Sequence, residues 1–154
     1  MSKVIELHST VKHGDLTGIK TLLTENRELA NSRSETDARG TYPLHVAAEF
    51  GQGDAARLLL EYGADVSLLD SENDAIALGW AAFFGRPEVV AVLLEAGSEP
   101  SQRNKNGLTP LGCAVRWNKR QMEGVLRCHT GRLAKGGGHH SRLWRCGVMA
   151  YTGC

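Results

Sequence analysis

The sequence encodes an all-α solenoid, a stack of helix–turn–helix units with a degenerate N-terminal unit and an incomplete C-terminal one. Two features say so. The first is a repeat: Gly40-Thr41-Tyr42-Pro43-Leu44-His45-Val46-Ala47-Ala48 runs into Gly51, then Leu58-Leu59-Leu60 and Gly63-Ala64-Asp65. Thirty-four residues on, Leu78 is followed by Ala81-Ala82, Gly85, Leu93-Leu94 and Gly97, and thirty-three further on Gly107-Leu108-Thr109-Pro110-Leu111 leads to Ala114. The second is the pattern inside each copy, where apolar residues recur at helical spacing between glycines suited to end a helix. A period of this size with anchors in phase means stacked helical pairs. Such stacks offer a surface to a partner and carry no reaction chemistry.

The elements follow in order. A degenerate first copy holds Leu7, Val11, Gly14, Ile19, Leu22 and Leu23, and its extra polarity suits a terminal cap. Its spacing to the next copy is 37, so the loop near Asn31 to Asp37 is longer by about three residues. In the second unit Pro43 suits a first helical turn, where a missing N–H costs nothing. Leu44, Ala47 and Ala48 make a narrow stripe that lets helices approach closely, and Gly51 ends the helix. Ala55, Ala56, Leu58, Leu59 and Leu60 then supply a second helix closed by Gly63. The third unit repeats this with Leu78, Ala81, Ala82 and Gly85, then Pro87, Val89, Val90, Val92, Leu93, Leu94 and Gly97. The fourth starts at Leu111 and Ala114 and then loses the pattern, leaving Met122, Val125 and Leu126 for a stunted second helix. The expected divisions are a capping copy (1–36), full units (37–70 and 71–103), an incomplete unit (104–127) and a basic tail with Gly, Cys and His (128–154), expected to be disordered.

Bulk properties narrow the function. The 154 residues suffice for one domain, with 42% apolar and 23% charged residues, an ordinary globular balance. A formal net charge of +1 gives no general attraction to nucleic acid or membrane. No apolar run approaches membrane-spanning length, and the N-terminus has no secretion signal. Cys113, Cys128, Cys146 and Cys154 all lie in the last third, so they build no framework across the domain. A reducing cytoplasmic setting and a monomer are the expectations.

The motif Gly40-Thr41-Tyr42-Pro43-Leu44-His45-Val46-Ala47-Ala48, with Leu59-Leu60 and Gly63-Ala64-Asp65, resembles that of ankyrin-repeat proteins, over roughly residues 5–115. The resemblance implies an L-shaped stack with hairpin-like loops projecting from its base. The motif threonine is Tyr42 in the second unit, while Ala77 and Gly79 replace Pro43 and His45 in the third, whose turn is expected to be less tied down. The resemblance also implies that partners meet the loop tips and the exposed side of each first helix. Carried onto this chain, those positions are Ala38, Arg39, Thr41, Glu49 and Phe50; Glu72, Asn73, Ala75, Phe83 and Phe84; and Lys105, Asn106, Leu108, Arg116 and Trp117. Phe50, Phe84 and Trp117 occupy equivalent positions, with Phe83 beside them. Interfaces favour aromatic and Arg anchors, and a competing reading packs Phe83 and Phe84 on a neighbouring repeat. In this motif the histidine ties the turn together, which is the role expected of His45, while His8 and His13 are expected at the surface or in the cap.

The repeats hold no Ser/His/Asp cluster, no His-Glu-x-x-His and no phosphate-binding loop, so no catalytic, cofactor or metal residue is assigned. The expected function is a protein-interaction module for a protein partner. The alternatives are a structural or inhibitory subunit of a larger complex, and nucleic-acid or metal binding through the tail. After Glu123 the chain has no acidic residue, and it carries five basic residues, three cysteines and three histidines. Zinc takes such ligands, yet Cys128, His129, His139, His140, Cys146 and Cys154 lack paired C-x-x-C spacing. A change of reading frame near Arg116 is a further hypothesis for the break: one nucleotide later, permitted codons for 116–144 give a Ser/Asp/Thr cluster, then Leu, Trp, Ala-Ala and Ile-Ile at helical spacing, then Gly-Tyr-Gly. The Met122-Glu123 pair forces Trp in that frame, while other letters depend on the third bases chosen. The nucleotide sequence across codons 112–146 tests this.

Overall fold

The computed structural model describes residues 2–116 and 125–126. Helices α1 (Lys3–His13) and α2 (Leu16–Glu25) form the first pair, followed by a 3-10 turn at Arg27–Asn31. Then come α3 (Pro43–Phe50) with α4 (Gly53–Glu61), α5 (Ala77–Phe84) with α6 (Pro87–Glu95), and α7 (Pro110–Arg116). Among the described residues there is no strand. The helices end where the sequence says they should. Gly14, Gly51 and Gly85 stand at C-termini with φ of 72°, 71° and 69°, left-handed values that a side chain resists. Ser2 Oγ accepts Val4 N–H at 3.3 Å and Asp15 Oδ1 accepts Gly18 N–H at 3.1 Å, capping the first two helices.

The first helices of successive pairs, α1, α3, α5 and α7, pack side by side in one layer, while α2, α4 and α6 form a second. Small residues allow this: Ala47, Ala48, Ala81 and Ala82 are almost fully buried between neighbours. The second layer carries the bulk, with Leu23, Leu59, Val90 and Leu93 wholly buried. Val125 and Leu126 are helical, and Leu126 joins the same core.

Three hairpin-like loops precede α3, α5 and α7. Their bases close through Ser34 N–H to Thr41 O (2.8 Å), Asp70 N–H to Ala75 O (3.1 Å) and Asn104 N–H to Leu108 O (3.0 Å). The loops are joined to one another, Ser71 N–H donating to Arg39 O and Lys105 N–H to Asn73 O, both at 2.9 Å. The longer loop after the first pair holds the 3-10 turn, unforeseen in the sequence, which buries Leu29 and Ala30. Asn31 staples it to the next pair, donating to Gly63 O (3.0 Å) and accepting Asp65 N–H (2.7 Å).

Candidate functional site

His45 shows how one unit locks the next. Its ring is almost fully buried; Nδ1 accepts Tyr42 N–H at 3.4 Å, and Nε2–H donates to Ala75 O at 2.9 Å. Both nitrogens are used, which fixes the neutral tautomer. Burial pushes its pKa below the ordinary histidine value, against the opposing pull of the Ala75 carbonyl and of Asp70. The imidazole therefore acts as structure, as the sequence implies.

One unit on, the lock changes. Gly79 stands where the repeat placed His45, but the turn is not loose as expected. Asp70, buried in the hairpin, accepts Asn73 N–H and the indole Nε1–H of Trp80, so an indole and a carboxylate tie this hairpin to its own helix, while Gly79 has no side chain to reach the next one. Trp80 meets His45 edge-on (centroids 5.7 Å apart, 84°) and Phe84 at 5.8 Å, and Phe84 meets Phe83 edge-on at 5.0 Å.

Arg39 lies over the Trp80 ring, its guanidinium carbon 4.8 Å from the centroid. It pairs with Asp37 at 3.0 Å and with Glu49 at 3.1 Å. The hydrogen bond that it donates to Asp37 is the chief cause that raises its pKa, with Glu49 adding to it against burial. Burial pushes the Asp37 carboxyl up, but hydrogen bonds from the Arg39 side chain and backbone and from the Thr41 hydroxyl outweigh it and hold the group below its ordinary value.

Between α5 and α7 a cleft opens, with a volume of ≈ 320 Å³. Ile76, Gly79, Trp80, Phe83 and Phe84 form one wall, and Leu108, Pro110 and Cys113 face them. Arg39, Glu72, Asn73, Gln102, Arg103, Asn104 and Asn106 make a polar rim. An apolar floor under a few polar groups is the usual form of a recognition site. A second groove of similar size runs between α2 and α4, along Leu16, Lys20, Arg57 and Leu58.

The structure brings together some of the residues that the sequence singles out. Arg39, Glu72, Asn73, Phe83 and Phe84 line the cleft, with Ala75, Asn106 and Leu108. Glu49 stands behind it, bound to Arg39, and its carbonyl accepts Arg86 Nε–H at 3.1 Å. Thr41 is 1% exposed and donates to Asp37 Oδ2 at 2.9 Å, so it closes its loop and presents no surface. Phe50 is exposed but lies under the Lys12 ammonium, 5.2 Å from its ring centroid, outside the cleft. Lys105 spans the loop tips, its ammonium donating to Glu72 O. Arg116 is exposed at the end of α7. Trp117, and the metal, nucleic-acid and frame readings of the tail, lie outside the described residues. Sequence reasoning missed Trp80, Gly79, Arg103, Asn104 and Cys113. Trp80 could have been found, since it stands 34 residues after Val46 in the same helical position.

The family model for ankyrin repeats in three copies matches residues 7–104. The chain belongs to the ankyrin-repeat family. Ankyrin repeats are in general protein–protein interaction modules and typically not enzymes. An ankyrin repeat-containing protein of Treponema pallidum (strain Nichols) is 36% identical over 104 residues, which span 63% of this chain and 35% of that protein. Rabankyrin-5 of Mus musculus is 34% identical over 105 residues (66% of this chain, 9% of the relative). Palmitoyltransferase ZDHHC13 of Mus musculus is 32% identical over 111 residues (71% and 17%). This chain thus spans about a third of the first relative and less than a fifth of the other two. Among the described residues no helix is long and apolar enough to cross a membrane, and no three His, Cys, Asp or Glu groups come together as metal ligands.

Proposed function

We propose that this ankyrin stack is a protein-binding module whose contact surface is the cleft between α5 and α7. The observation that carries this reading is the aromatic wall, Trp80, Phe83 and Phe84, facing Leu108 and Pro110 below a rim of polar side chains. Aromatic and Arg side chains dominate binding energy at interfaces, and this cleft concentrates both. Phe83 keeps 37% of its surface exposed despite its contact with Phe84. The module acts as a monomer in a reducing, cytoplasmic setting, which suits the buried free thiol of Cys113.

Gly79 provides the test. A Cβ built there would meet only Ala75 Cβ within 4 Å, at 3.7 Å, so Gly79→Leu plugs the cleft from its floor without displacing backbone. Peptides selected by display on the full chain are expected to bind the wild type and Leu16→Asp, altered in the other groove, but not Gly79→Leu. Circular dichroism should show the fold intact in all three. Binders indifferent to the plug would refute the site.

A further inference from the structure

The charges around the cleft are not evenly spent. Arg39 is neutralised by Asp37 and Glu49. Among the lining residues this leaves Glu72 on the α5 side and Arg103 on the α7 side. The Glu72 carboxylate has no partner among the described residues, since only its backbone carbonyl is engaged, by Lys105. Lys105 brings a cation to the same loop tips, held on that carbonyl. Arg103 donates through one nitrogen to Gly107 O at 2.7 Å and brings no carboxylate with it. The amides differ too. Asn104 is consumed by its own loop, its Oδ1 accepting Asn106 N–H and Leu108 N–H, both at 3.0 Å. The side chains of Asn73 and Asn106 hold no hydrogen bond among the described residues, and both line the cleft.

We infer that the cleft takes an extended peptide segment of a partner protein: one large apolar side chain on the Trp80 wall, a basic residue toward Glu72 and an acidic residue toward Arg103. The inference rests on the proposed function and names the partner's chemistry. The cleft lies at the lower end of the usual range for ligand sites, which accommodates one anchor rather than a packed surface. Two unspent carboxamides, each donor and acceptor, match the alternating N–H and C=O of an extended backbone. Opposite charges on opposite walls set the direction and register of the segment more than its affinity.

The test uses three short fluorescein-labelled peptides, each with a central Trp, flanked by Lys and Glu, by Lys on both sides, or by Glu on both sides. Anisotropy titrations on the full chain should rank the mixed peptide first, by about three- to fivefold per charge, the scale of an exposed ion pair. Glu72→Lys should make the doubly acidic peptide the best, and Arg103→Glu the doubly basic one. Raising the salt should flatten the ranking. An unchanged ranking in both variants, with binding still abolished by Gly79→Leu, overturns this inference and leaves the proposed function standing. Binding that ignores the plug overturns both. Binding that appears only when residues 127–154 are removed makes the chain's own tail the occupant and also overturns the proposal.

Discussion

Replacing His45 by alanine removes the lock between the second and third units, and the structure sets the cost. The substitution leaves the buried Ala75 carbonyl with one partner fewer and the half-buried Tyr42 N–H with none from the imidazole. The carbonyl keeps Asp70 N–H, so losing its second bond costs about 1 kcal/mol, and the Tyr42 N–H, which water can reach, about 1 kcal/mol as well. The edge-on contact with Trp80 contributes about 1 kcal/mol more. The expected loss is therefore about 3 kcal/mol, a large share of the ~5–15 kcal/mol by which domains are stable. Urea titration followed by far-UV circular dichroism should show the midpoint falling by about 2 M. His45→Gln, which restores a donor and an acceptor, should recover part of this. A loss below about 1 kcal/mol for the alanine variant, with an unchanged denaturant slope, would refute the idea that this imidazole holds the two units together.

Three other expectations are independent of that one. Burial lowers the folded-state pKa of both His45 and His8, so below the unfolded value of 6.5 the unfolded chain takes up protons that the native state refuses. Stability should then be flat above pH 6.5 and fall as the pH drops through it, by up to ~1.4 kcal/mol per pH unit for each histidine; a midpoint that rises on acidification contradicts this. Ser98 is 2% exposed and its hydroxyl has no partner among the described residues, whereas Ala64 stands 34 residues before it; Ser98→Ala should stabilise by about 1 kcal/mol, and a lower melting temperature would count against it. Asp74 has φ 50° where Gly40 and Gly107 have 64° and 73°; Asp74→Gly should gain about 0.5 kcal/mol, left-handed strain relieved against the entropy of glycine, and a net loss in chemical denaturation would contradict it.

The stack was legible because its period is carried by residues whose roles are local. Pro43 and Pro87 open helices, Gly14, Gly51 and Gly85 end them, and the alanine pairs set how close neighbours come. The lining of the proposed contact surface was only half legible. Repeat position singled out Phe83, Phe84, Glu72 and Asn73, which line the cleft, since these depend on the register alone. It could not reveal that Arg39 and Glu49 spend their charge on each other, that Thr41 turns inward, or that Lys12 covers Phe50. The first two are side-chain pairings within the second unit and the third a contact with the first unit, and repeat register encodes none of them. Trp80 escaped for a related reason: its meaning depends on Asp70, ten residues upstream, accepting its indole N–H.

The cleft itself follows from one departure from the repeat. In the second unit the imidazole of His45 bridges α3 to Ala75 O, a carbonyl that also accepts Asp70 N–H. In the third unit the corresponding carbonyl is Leu108 O, which accepts Asn104 N–H at 3.0 Å, and the corresponding helix residue is Gly79, which has no side chain to reach it. The space that an imidazole would fill is left open between α5 and the hairpin before α7, and both Gly79 and Leu108 line it. Gly79→His should therefore close the cleft by restoring the lock, with Nδ1 accepting Ile76 N–H and Nε2–H donating to Leu108 O. Leaving glycine behind in a helix gains up to ~1 kcal/mol and the new hydrogen bond about 1 kcal/mol more, so the variant should be more stable by about 1–2 kcal/mol. It should also lose binding of the Trp-centred peptides. A variant that is stabilised yet binds as before would mean that the vacated imidazole site and the contact surface are different places; one that is destabilised would mean that the third unit has repacked around Trp80 and Asp70 and no longer has room for the lock.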